Sequence, residues 1–125
     1  MSSANNATPS STAVDLAVLR DMFGDDIRSA DKFIQRYLEH SYKQVAELDS
    51  MLERKDWPAL GTTVHKLKSS SRMLGAIDLG TLCETLEEQS ISPINKPSPP
   101  DLERLRAMHR QVCEELAQLI SVGKL

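Results

Sequence analysis

IRSADKFIQRYLEHSYKQVAELDSMLER, residues 27–54, places Ile27, Ala30, Ile34, Tyr37, Ser41, Val45, Leu48 and Leu52 at alternating steps of three and four, with no proline or glycine inside. That spacing lines one face of an α-helix for about seven turns, and most of the intervening residues are polar. A long amphipathic helix buries such a stripe only against other helices, so the segment points to a helical bundle.

Working downstream, Asp56, Trp57 and Pro58 form a new start signal. Aspartate is a good N-cap, and proline is tolerated in a first turn because its missing N–H has no intrahelical partner there. The helix so opened carries Trp57, Leu60, Val64, Leu67, Ser71 and Leu74 and stops at Gly75. After Ala76 and Ile77, Asp78 is expected to cap a further helix containing Leu79, Leu82, Cys83 and Leu86 and fading near Ser90. Ser92 to Pro100 holds Pro93, Pro97, Pro99 and Pro100 and is expected to be an extended connection. A last helix from Asp101 follows Leu102, Leu105, His109, Val112, Leu116 and Leu119, closed by Gly123.

Upstream, Val14, Leu16, Ala17, Leu19 and Met22 support a short helix, ended by Gly24 and followed by Asp25 and Asp26. Residues 1–13, opening MSSANNATPSST, have linker composition, which assigns 1–13 to a flexible tail and 14–123 to one folded domain. Strand signals are missing, since no run alternates with period two. The expected fold class is all-α: an antiparallel four-helix bundle with an additional short N-terminal helix.

The whole chain has 125 residues, 18 acidic and 15 basic, for a formal charge of -3. That balance argues against a surface built for nucleic acid or acidic lipid. Cys83 and Cys113 stand at apolar positions of helical patterns without C-x-x-C pairing, so buried free thiols are expected rather than a disulfide. No apolar run is long enough to span a membrane and no signal peptide is evident, which leads to an expected cytoplasmic location. Metal-binding bundles use Glu-x-x-His pairs; three residues before His40, His65 and His109 stand Tyr37, Thr62 and Arg106, so no metal site is indicated.

His65 lies about 130° around its helix from the centre of the apolar stripe, so its imidazole should face solvent. Gly61, Lys68, Ser69 and Arg72 share its flank. Between Trp57 and Ile77 there is no acid and three bases, Lys66, Lys68 and Arg72. This is a cationic, low-relief surface suited to an acidic partner whose reactive group descends onto the histidine. A histidine can act as a nucleophile towards phosphorus through one ring nitrogen while an acceptor holds the other. Glu84, Glu87 and Glu88, read without further information, form a solvated face. His109 reads as a hydrogen-bonded core residue and His40 as a surface one.

The run His65, Leu67, Lys68, Ser71, Leu74, Gly75, Ala76 resembles the motif H-x-L-K-G-x-[SA]-x-x-[apolar]-G-[AL] of the histidine-containing phosphotransfer (HPt) domains of multistep phosphorelays. Ser69 departs from the usual glycine and bears on how closely a partner can approach. Leu79, Leu82, Cys83, Leu86 and Glu87 resemble the family's following helix, and the likeness extends over roughly residues 15–120. The resemblance implies a four-helix bundle in which His65 accepts and donates a phosphoryl group and Lys68 offsets its charge. Gly61, Ser69 and Arg72 would meet the partner, and Glu87 would orient the imidazole, with Glu84 and Glu88 as alternatives.

The expected function is that of a phosphorelay intermediate, taking a phosphoryl group from the aspartate of one response-regulator receiver domain and passing it to another. No cofactor is expected on the chain, since no phosphate-cradling glycine loop is present to support autonomous kinase activity. Mg²⁺ is expected only in the partner receiver. The chain is read as a monomer, either free-standing or the C-terminal domain of a membrane-bound hybrid sensor kinase. A histidine kinase dimerisation domain usually follows its histidine with an acid, where this chain has Lys66. The rival from another class is an inert helical docking module that binds receivers without phosphotransfer.

Overall fold

The computed structural model describes residues 13–122, which form five helices and, among the described residues, no strand. They are α1 (Leu16–Phe23), α2 (Ile27–Glu53), α3 (Trp57–Met73), α4 (Ile77–Ile91) and α5 (Pro99–Val122). Helices α2 to α5 close a four-helix bundle in which α2 and α4 each pack on both α3 and α5, while α1 lies against α2 and α3. The antiparallel course shows in the cross-helix pairs. Tyr37 and Met51 of α2 meet Ser71 and Thr63 of α3, and Ser41 and Asp49 meet His109 and Arg106 of α5.

Aspartate caps start three of the helices. Asp15 accepts from the Ala17 amide at 3.0 Å, Asp26 from the Ser29 amide at 3.1 Å, and Asp56 from the Ala59 amide at 3.2 Å. Each satisfies a donor that has no carbonyl within its helix. The expectation that Asp78 caps α4 is corrected: Ala76 is the cap residue and gives no side-chain hydrogen bond, while Asp78 lies inside the first turn. There its charge still faces the positive end of the helix dipole.

The proline-rich connection also ends earlier than expected. Pro99 and Pro100 are the first two residues of α5, so the extended segment is 92–98 and the helix does not wait for Asp101. Prolines at the start of a helix lose no hydrogen bond. Asp101 instead closes the turn, accepting from the Ser98 amide at 2.8 Å and the Ser98 hydroxyl at 2.9 Å. The assigned roles of residues 1–12 and of Gly123 lie outside the described residues.

The expected stripes fill the core except at Ile27, which is exposed at the start of α2: Ile34, Leu48, Leu60, Val64, Leu67, Leu74, Leu79, Leu86, Leu105 and Leu116 are all essentially inaccessible. Cys83 and Cys113 are buried free thiols, and burial pushes Cys83 up to about 12, so it packs as an uncharged side chain. Among the described residues, no helix is long and apolar enough to cross a membrane.

Three polar contacts inside the bundle fix how the helices are rotated. Tyr37 and Ser71 share a hydrogen bond of 2.8 Å between their hydroxyls, and His109 Nε2 lies 2.8 Å from Ser41 Oγ. At the N-terminal edge, the Glu115 carboxylate accepts from the amides of Ala13 and Val14 at 2.7–3.0 Å. A buried polar group is costly unless partnered, so these pairs hold α2 in register with both neighbours and the chain entry on α5.

Candidate functional site

Helices α3 and α4 run antiparallel as the most intimate pair in the bundle. Two glycines permit this. A β-carbon on Gly61 would stand 2.6 Å from Ser90 Oγ, and one on Gly80 would stand 2.6 Å from Arg72 Cγ. With these side chains absent, the pair meets in successive rungs: Gly61 opposite Ser90, His65 opposite Glu87, and Arg72 opposite Gly80 and Glu84. Between the glycines sits the histidine.

The His65 side chain is 55% exposed, and its Nδ1 lies 2.7 Å from Glu87 Oε2. The other oxygen of Glu87 accepts from Lys68 Nζ at 2.8 Å. That hydrogen bond is the largest influence holding the Glu87 carboxyl below its ordinary range, with the His65 contact acting in the same direction. An ionised carboxylate can only accept, so Nδ1 carries a proton towards Glu87, and in the neutral ring Nε2 then holds the lone pair on the opposite edge. The geometry is that of an imidazole pinned on one side and open on the other.

Of the remaining sequence candidates, Ser69 is exposed one turn beyond His65 and its hydroxyl reaches back to the His65 carbonyl at 3.4 Å. Gly61 lies one turn before it, half-buried against Ser90. Glu84 pairs with Arg72 at 2.7 Å rather than with the histidine, and Glu88 is exposed with no contact to the ring. The Arg72 hydrogen bond lowers the Glu84 carboxyl.

One expectation is corrected here. The three-base cluster is not a free cationic patch, because Lys68 and Arg72 are each neutralised by a glutamate of α4. Lys68, moreover, is 16% exposed. Charges counted along one helix cannot register what the neighbouring helix supplies. Lys66, pointing the other way towards α2, has no ion pair among the described residues.

The sequence reading also leaves out a groove of about 640 Å³ beside the histidine, lined by Trp57, Thr62, His65, Glu87, Ile91 and Lys96 among others. Lys96, from the connection before α5, sits 5.3 Å over the Trp57 ring and donates to the Ser90 carbonyl at 2.8 Å. The stacked cation and hydrogen bond fasten that connection to the end of the α3–α4 pair. A lysine in a proline-rich segment gives no sequence signal for this contact.

Comparison with known proteins bears on the family and the fold. The model of the Hpt domain family matches residues 32–121. The fold is similar to the crystal structure of histidine-containing phosphotransfer protein B (HptB) from Pseudomonas aeruginosa PAO1, with a TM-score of 0.81 and 22% identity over 87% of this chain and 95% of that one. No match was found among curated proteins.

Proposed function

The chain belongs to the Hpt domain family, which gives it a histidine phosphotransfer role in phosphorelays, and from that premise we propose that His65 is the residue phosphorylated and Nε2 the atom that carries the group. The observation that supports this most directly is the 2.7 Å contact between Nδ1 and Glu87, which commits one ring nitrogen and leaves the other to react. The phosphoryl donor in this reading is the phospho-aspartate of a response-regulator receiver domain.

In the transfer, the Nε2 lone pair forms a bond to phosphorus as the bond from phosphorus to the aspartyl oxygen breaks, and the aspartate leaves as a carboxylate. The proton on Nδ1 stays where it is. The ring acquires positive charge as the N–P bond forms, and the Glu87 carboxylate next to Nδ1 stabilises that charge. Lys68 holds the second oxygen of Glu87, so the carboxylate is fixed in place before the partner arrives. This moves the main role of Lys68 from the phosphoryl group to Glu87. Delivery to a second receiver is the reverse sequence.

Gly61 and Ser69 add little bulk on either side of the imidazole, which supports their assignment to the docking surface. Arg72, tied to Glu84 one rung further on, stands at its edge. Any Mg²⁺ the step requires is assigned to the receiver, because Glu87, whose carboxylate stands beside His65, is already paired with a lysine and a poor ligand for a second cation. The four-helix core is closed on itself, in keeping with a monomeric carrier.

The test is to incubate the chain with phosphorylated receivers and follow the label. Wild type should gain an acid-labile, base-stable phosphoryl group and His65→Gln should gain none while still binding the receiver. Binding by wild type without any transfer would favour the inert docking module.

A further inference from the structure

The surface around His65 is electrostatically lopsided. On its α4 side Lys68 and Arg72 are cancelled by Glu87 and Glu84, and Glu88 adds a further negative charge. On its α2 side the balance is opposite. A recess of about 270 Å³ opens between α2 and α3, floored by Phe33, Tyr37 and Ser70 and rimmed by the exposed side chains of Arg36, His40 and Lys66. No acid lines it. At 100° per residue, Lys32 and Lys43 of α2 fall on the same flank as Arg36, against Glu39 and Glu47, and α3 contributes no acid at all. In a chain of net charge -3 this is a local excess of positive charge, on the α2 side of the helix that carries the histidine.

Resting on the phosphotransfer reading, we propose that this recess is the docking socket for an acidic side chain at the rim of the receiver's phosphorylation site, held by Arg36 and Lys66, and that the receiver therefore sits towards α2. Lys66 stands about 100° around α3 from His65, so the socket requires a partner that straddles the outer crest of α3, reaching Nε2 on one side and Lys66 on the other. An acidic donor site meets Arg36 and Lys66 on the α2 flank, whereas on the α4 flank Lys68 and Arg72 are cancelled and Lys96 is held over Trp57, which biases the encounter towards α2. The recess is of side-chain size. Its aromatic floor suits the aliphatic part of an aspartate or glutamate, with the carboxylate turned to the guanidinium and ammonium groups at the rim.

The experiment measures phosphoryl transfer from a panel of phosphorylated receiver domains to the full chain and to Arg36→Glu, Lys66→Glu and Arg104→Glu. Arg104 is exposed on α5, and its reversal changes net charge equally at a distance from His65. At low ionic strength the first two variants should each lower the rate at limiting receiver by about tenfold, with the gap narrowing as salt is added, the saturated rate kept, and unchanged melting. Arg36→Ala and Lys66→Ala should give smaller losses of the same kind. Equal losses in all three reversals, a loss confined to the saturated rate, or no loss where wild type transfers normally would each overturn the socket and leave phosphotransfer standing. Absence of transfer to wild type from receivers that bind it would overturn the underlying reading instead.

Discussion

Glu87 reaches across from α4 to place one carboxylate oxygen 2.7 Å from Nδ1 of His65 on α3. The contact is possible because Gly61, one turn before the histidine, lets the two helices approach at Ser90. Removal of the acceptor should therefore be felt in the chemistry more than in the fold. Glu87→Gln keeps the shape but not the charge, and Glu87→Ala frees both His65 and Lys68. We expect the transfer rate to His65 to fall about tenfold in the first and further in the second, the size usual when a partner that orients a reactive imidazole is removed. Nitrogen-15 shifts of the imidazole should show the Nδ1–H tautomer dominant in wild type and depleted in Glu87→Ala.

The same pair sets a pH limit. The Glu87 carboxyl is lowered, chiefly by the Lys68 hydrogen bond, so its contribution is present above the ordinary carboxylate value and is lost only as pH falls through the lower folded value. Lys68→Met removes the main cause. Its Glu87 should protonate at higher pH than in wild type, readable from the carboxyl carbon-13 shift.

His109 answers to a different balance. It is 2% exposed, and burial pushes it down to about 4 from 6.5. The unfolded chain therefore binds one more proton than the native chain between those values, and stability should rise with pH across that window. The full effect is roughly 3 kcal/mol, lost progressively as pH falls from 6.5 towards 4. Denaturant melts at several pH values check it. The slope should flatten in His109→Gln, while an unchanged slope would assign acid sensitivity to other groups.

Gly75 and Gly24 both have positive φ, at 84° and 56°, yet they should respond differently to alanine. A β-carbon at Gly24 meets nothing within 4 Å, leaving only the backbone strain of φ 56° with ψ -124°, outside the left-handed helical region, of about 1–3 kcal/mol. At Gly75 it would run into the backbone oxygen of Asp15, whose amide donates to the Gly75 carbonyl at 2.8 Å. Backbone cannot rotate away as a side chain can. Gly75→Ala should cost about 2–4 kcal/mol and loosen α1. Thermal melts of the two variants make the comparison.

Tyr37 and Ser71 offer a test of the core. Tyr37→Phe leaves the fully buried Ser71 hydroxyl without its partner and should cost about 1–2 kcal/mol. In the Ser71→Ala background the same change should cost less, because the orphaned group is gone. Additive losses in the double mutant would mean that the hydroxyls are not coupled.

The four long helices and the exposed histidine are legible in the chain because local rules govern them. The three-and-four spacing of α2, the Asp56 cap and the Gly75 stop all act within a turn or two. What fails is of two kinds. Asp78 and the pair Pro99 and Pro100 are local signals with two permitted readings, since an acid serves as cap or first-turn residue and a proline ends or begins a helix. The neutralisation of Lys68 and Arg72, the bond between Ser41 and His109, and the basic recess formed by Arg36 with Lys66 depend on which helices are neighbours and how they are rotated. No count along one segment contains that information. Glu87 stands out from Glu84 and Glu88 in sequence only through the family resemblance, whereas in the structure its contact to the imidazole separates it from both.

The central claim is that a receiver loads the open nitrogen of His65 while Glu87 holds the other. Long-range proton–nitrogen correlation spectra of the chain phosphorylated by a receiver test it directly. The account predicts phosphorus coupling at His65 Nε2, a proton retained on Nδ1, and no signal in His65→Gln. Phosphorylation at Nδ1, or label that persists in His65→Gln, would contradict it.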